Sequence, residues 1–194
     1  RDIVQVALWY ALFSPESYVD ECARAQEQLA EYPRHAAVSE GYLNRTRFLG
    51  AYRAWLQNGV LQDGFDAWPL PSDRIGHMGW VRATALKYRG ALLAAAGRTV
   101  EAQQDFDLAL GLFEDETFPL LRFVCGTVCL QAAESLGPDD EPSLWLQQAV
   151  AIFSAFSSTL KGDIAGHQWL ERAEGIQRGV PVSALPDPQS KFPY

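Results

Sequence analysis

The 194-residue sequence has little of what strands, membrane spans and metal sites are built from. Sustained apolar/polar alternation is missing, and no Asn-Gly pair sits between β-branched runs, so no β-hairpin is expected. No run of about 18 apolar residues occurs, so nothing is expected to cross a membrane. A basic excess is absent too. The formal charge of −8 has the wrong sign for nucleic-acid phosphates or an anionic lipid surface. Cysteine is scarce and odd in number, with Cys22, Cys125 and Cys129 in a chain too long to need staples. Reduced thiols and a cytoplasmic location are therefore expected. His35, His77 and His167 lie far apart and form no H-E-x-x-H pair, so no metal is expected. No G-x-S-x-G, phosphate-binding or dinucleotide-binding pattern appears, so neither a cofactor nor an enzyme is expected. The chain opens on Arg1 rather than Met and reads as a piece of a longer one.

What is present is helical spacing, in a chain 48% apolar and long enough for a sizeable core. Helices are expected over 2 to 13 and from Ser14-Pro15 to about Tyr32, where Pro33 stops the chain. Further helices are expected over 36 to 58, 79 to 96, 100 to 113, 119 to 136, 142 to 159 and 164 to about 178. Residues 60 to 77 have no clear period. Their aromatics read as anchors onto the core. The last segment, 181 to 194, holds four prolines and should be extended.

The most patterned stretch is "ALKYRGALLAAAGRTVEAQQDFDLALGLFED", residues 85 to 115. Leu86, Gly90, Leu93, Ala94 and Gly97 share one face of its first helix. Ala102, Phe106, Ala109, Leu110 and Phe113 share one face of its second. The link Gly97-Arg98-Thr99 permits only an antiparallel turn, so the helices must touch along their length. Gly90 and Ala102 then suit a close backbone approach, and Phe106 the wider space beyond.

This pattern resembles the tetratricopeptide repeat, a helical hairpin of about 34 residues. Gly90, Leu93, Gly97, Ala102, Phe106 and Ala109 stand where that family has its small, apolar, turn and aromatic positions. Leu86, Arg89, Thr99 and Glu114 depart from it. Residues 46 to 56 and Gly126, Ala149 and Phe153 look like fainter copies. The resemblance implies an all-α fold of about eight helices: antiparallel hairpins stacked as a right-handed superhelix. It would span 1 to 180 as one domain, with its best repeat at 82 to 115 and the tail at 181 to 194.

The resemblance also implies a concave groove that receives a protein or peptide. The register assigns it Asn44, Arg47, Trp55, Thr84, Lys87, Thr127 and Gln131, with Ala51, Ala91, Ala95 and Phe123 between them. Arg47 and Lys87 stand where some members hold a peptide carboxylate, although Ala51 and Ala91 replace the asparagine those members use. The alternative is a regulatory or sensory domain with a closed pocket near Trp68, His77 and Trp80, binding a small ligand or signalling peptide. Phe192 and Tyr194 could dock on the body, or in a neighbouring molecule's groove to give a homo-oligomer. The carboxylates at 114 to 116 and 139 to 141 precede helix N-termini and read as structural. Cys125 and Cys129 share a face among Phe123, Val124, Val128 and Leu130. Burial there would raise both thiols and leave them inert.

Overall fold

The computed structural model describes residues 36–72, 79–114, 117, 119–137, 142–159, 164–185 and 187–188. Among them are six α-helices and no strand. They are α1 (Ala36–Asn58), α2 (Gly79–Ala95), α3 (Thr99–Gly111), α4 (Pro119–Leu136), α5 (Pro142–Thr159) and α6 (Ile164–Gln177). Short 3₁₀ turns lie at Phe65–Ala67 and Val182–Ala184. The expected helices at 2 to 13 and 14 to 32 fall outside the described residues, as do Cys22, His35, His77, Phe192 and Tyr194. So does most of both carboxylate runs, 115 to 116 and 139 to 141.

The helix boundaries follow local chemistry. Proline opens α4 and α5, where a missing backbone N–H is harmless. The turn after α2 closes with two backbone bonds, Gly97 N to Ala94 O at 2.9 Å and Arg98 N to Leu93 O at 2.9 Å. That pattern requires a left-handed residue at its corner, and Gly97 supplies it with φ of 77°. The same pair of bonds ends α6, from Gly179 and Val180.

Each helix packs on the next, and α2 also touches α4 directly, so the α2–α3 and α4–α5 hairpins lie side by side. The small residues explain how. A Cβ on Gly90 would stand 3.1 Å from Phe106 Cζ and 3.3 Å from the Ala102 carbonyl oxygen. Ala102, Phe106 and Ala109 are fully buried. The second hairpin repeats the device, because a Cβ on Gly126 would stand 2.8 Å from Phe153 Cε1, with Ala149 one turn before that ring. Arg89, which departs from the family pattern, forms a bidentate pair with buried Asp105 at 2.6 Å and ties α2 to α3.

Two aromatic groups complete the core. Phe123, Phe153, Phe156 and Trp169 join α4, α5 and α6, with ring centroids 4.6 to 6.0 Å apart. In the long connector, Phe65 is buried and Trp68 lies 5.4 Å from Phe48. Those aromatics anchor the connector to α1. Its Asp66 also accepts a hydrogen bond from Arg98 at 2.5 Å, across the turn between α2 and α3.

Glycine substitutions should sort by what the new methyl meets. Nothing lies within 4 Å of a Cβ on Gly50, so Gly50→Ala should stabilise by about 0.5–1 kcal/mol. Gly126→Ala gains the same helix preference but forces the Phe153 ring aside, for a net loss of about 1–2 kcal/mol. Urea unfolding of the two variants should move the midpoint in opposite directions.

Candidate functional site

The groove register proves to be mostly interior. Asn44, Thr84, Lys87, Thr127 and Gln131 are buried, none more than 7% exposed. Arg47 is exposed and lies over Trp68, its guanidinium carbon 5.4 Å from the ring centroid. Trp55 is half-buried beside Tyr52, with centroids 5.8 Å apart. Five of the seven side chains therefore form a polar layer inside the protein instead of an open wall. Trp68 packs on Phe48, and Trp80 lies under the Arg45 guanidinium, 5.3 Å from its centroid.

The layer runs across α1, α2, α4 and α6. Lys87 Nζ donates to Thr127 Oγ1 at 3.3 Å, and the Thr127 hydroxyl donates to the Val124 carbonyl at 2.8 Å. The ammonium also sits 4.5 Å from the Tyr88 ring centroid. Gln131 hydrogen-bonds to Tyr52 from α1 and donates to Ser135 at 3.1 Å. Glu134 accepts from Arg172 Nε on α6 at 2.5 Å, and both side chains are under a tenth exposed. Thr84 turns back to the Trp80 carbonyl at 2.7 Å, which satisfies its hydroxyl within α2.

Burial dominates the electrostatics. It pushes the Lys87 ammonium well below the usual lysine range, and Arg45 adds to that push, while Glu134 and Asp187 pull back. It raises the Glu134 carboxyl, and the bond from Arg172 reverses only part of the shift. It also raises the Tyr52 hydroxyl, helped by the Glu134 charge and opposed by Gln131.

The tail enters this layer. After Gly179 the chain passes Pro181, makes the 3₁₀ turn at Val182–Ala184 and is extended at Leu185. Leu185 packs so closely on α6 that a Cβ on Gly175 would stand 2.5 Å from its Cδ2. Its carbonyl accepts from Arg172 Nη1 at 3.4 Å, and Pro188 is buried. The Asp187 charge acts on Tyr52, Lys87, Glu134 and Arg172. One exposed tail carboxylate thus faces groups from four helices.

The residues that sequence reasoning missed are Arg45, Tyr52, Glu134, Arg172 and Asp187. A signal existed for Glu134. It continues the stripe of Thr127 and Gln131 along α4, at the i, i+4, i+7 spacing of one helix face. Arg172 and Asp187 carry no such signal, because the packing of α6 brings the first to the layer and the return of the tail brings the second.

Replacing Lys87 by Met should stabilise the protein by about 1–2 kcal/mol near neutral pH, since a buried charge gives way to apolar packing. The sign with pH follows from the depressed lysine. Between its folded pKa and the unfolded value near about 10.4, the unfolded chain binds more protons, so wild-type stability gains with pH. The advantage of Lys87→Met should therefore shrink as pH rises toward 10. Tyr52 and Cys129 titrate upward in both proteins, and their contribution cancels in the difference. Paired urea melts from pH 6 to 10 measure this, and a constant gap would contradict it.

Among the described residues, no cluster of His, Cys, Asp or Glu could hold a metal ion, and no helix is long and apolar enough to cross a membrane. The sequence matches no protein-family model, no curated protein and no solved structure.

Proposed function

We propose that the chain is a binding scaffold of tetratricopeptide-like build, whose inner face receives an extended peptide carrying an acidic side chain. The observation that carries this reading is the tail. A proline-bounded segment lies along α6, with Leu185 against Gly175 and its carbonyl on Arg172. The Asp187 charge acts on Lys87 and Arg172. An extended peptide exposes its backbone groups and alternate side chains, which is what a helical face with spaced donors can read. The tail is then an internal ligand, and a partner competes with it for the same groups. Asn44, Thr84, Thr127 and Gln131 support the layer from within. Arg47 and Trp55 flank it on α1.

The repeated glycine–phenylalanine contacts in α2–α3 and α4–α5 support a stacked, superhelical arrangement of hairpins. The residues of the polar layer come from α1, α2 and α4, the helices that open each hairpin in that scheme, and from α6.

A labelled peptide with the sequence of residues 181–188 tests the reading. It should bind weakly to the intact chain, whose own tail competes. It should bind about tenfold more tightly to a Leu185→Ser/Asp187→Asn variant, a change of about 1.4 kcal/mol. Adding Lys87→Met to that variant should remove most of the gain while the fold becomes more stable. Equal anisotropy for the peptide and its Asp→Asn analogue would refute recognition of the carboxylate.

A further inference from the structure

A second feature lies on α4, away from the tail and independent of the peptide reading. Cys125 and Cys129 are free thiols one turn apart. The two thiols are hydrogen-bonded to each other. Cys129 is fully buried, whereas Cys125 is 8% exposed and opens on a groove of about 760 Å³ where the end of α3 meets α4 and α5. Phe113, Glu114, Arg122, Gln148 and Ile152 line it.

The expectation of two inert thiols holds for one of them. Cys129 is pushed well above the usual thiol range, first by its bond to Cys125 and then by burial. Cys125 goes the other way. The Cys129 donor lowers it, burial opposes, and the Arg122 charge lowers it further. A buried thiol is inert only when its thiolate lacks a donor, and here the neighbouring thiol is that donor.

The pair is not placed to form a disulfide with itself. Side chains four apart on a helix have Cβ atoms about 5–6 Å apart, and a disulfide needs about 3.8 Å. While α4 is intact, Cys129 assists and cannot resolve.

We propose that Cys125 is a thiol-modification site that exchanges with small disulfides bearing a carboxylate, which enter the groove beside Arg122. Cys125 releases its proton to solvent. Its thiolate attacks one sulfur of the incoming disulfide. The new S–S bond forms as the old one breaks, and the second half leaves as a thiolate that takes up a proton. No net oxidation of the mixture occurs. The product is a mixed disulfide that occupies the groove, and with no resolving thiol in reach among the described residues it persists until an external thiol reverses it.

The test uses the reduced full chain with two probes near pH 7, glutathione disulfide and the neutral hydroxyethyl disulfide. The modified fraction of the tryptic peptide holding both residues gives the rate apart from Cys22, and its fragmentation gives the position. The adduct is expected on Cys125, with the acidic probe faster. Arg122→Gln, at an exposed residue, should abolish that preference. Cys129→Ala should slow both probes by about threefold or more, and Cys129→Ser, which keeps a donor, should restore the rate. If Cys129→Ala fails to fold, Arg122→Gln and Cys129→Ser decide. Three results would overturn the proposal: equal labelling of Cys129, an internal bond with loss of two hydrogens, or a Cys125 unreactive until denaturant is added.

Discussion

The fold depends on a glycine facing a phenyl ring. At Gly90 and again at Gly126, the absent side chain lets a phenylalanine of the next helix lie where a methyl would otherwise sit. The phenylalanines are fully buried, so neither ring can swing into solvent to make room. Interhelical distance in each hairpin is therefore fixed by chain chemistry at one point, and the alanines a turn away, Ala102 and Ala149, keep it short on the same side. Close hairpins can lie side by side, and α2 and α3 both touch α4. α1 shows the converse. A Cβ on Gly50 would meet nothing, and the segment that follows α1 is a connector instead of a helix. Phe65 and Trp68 take the place of a second helix by filling the space against α1 and α2.

Stacking brings the first helices of the hairpins together, and their shared face is polar where an apolar one would be simpler. Buried polar groups are tolerable when they are mutually bonded. Lys87 with Thr127, Gln131 with Tyr52, and Glu134 with Arg172 each join two helices by such a bond. Removing Glu134 or Arg172 strands the other, so that pair holds α4 and α6 in register more strictly than leucines would. It is also a reservoir of donors and charge inside the protein, which a plain core is not.

The all-helical character of the described residues was legible. Termini of α1, α2, α4 and α5 follow from Gly59, Gly97, Pro119, Gly137 and Pro142, residues whose backbone effect does not depend on distant contacts. Gly90, Ala102 and Phe106 could be paired because a three-residue turn leaves their helices no freedom. The site was legible only in part. Register on a helix says which residues share a face, and it put into one set Lys87 and Thr127, which are hydrogen-bonded. It does not say whether that face meets solvent. The burial of those side chains depends on neighbours far away in sequence, and the electrostatic effect of Asp187 on Lys87 links residues a hundred positions apart. The thiols failed for a related reason. Apolar neighbours in sequence predict burial for both, but the direction of each shift depends on which sulfur donates to the other.

The charge of the layer constrains what can occupy the inner face. Arg45, Lys87 and Arg172 bring three cationic side chains to it, and Glu134 is the carboxylate that its helices supply. Burial is the main reason that Lys87 is depressed; Arg45 adds to it, and Glu134 and Asp187 oppose it. An apolar peptide in place of the tail would lack the carboxylate that now favours the charge of Lys87 and Arg172. On the proposed reading, a peptide with a carboxylate near the Asp187 position supplies the charge that Asp187 supplies now, and its backbone carbonyl can take the Arg172 donor now used by Leu185. The tail meets both demands with a side chain that stays exposed to solvent, so its own carboxylate is not desolvated in return. An occupant that displaces it has to carry at least the same charge in the same place.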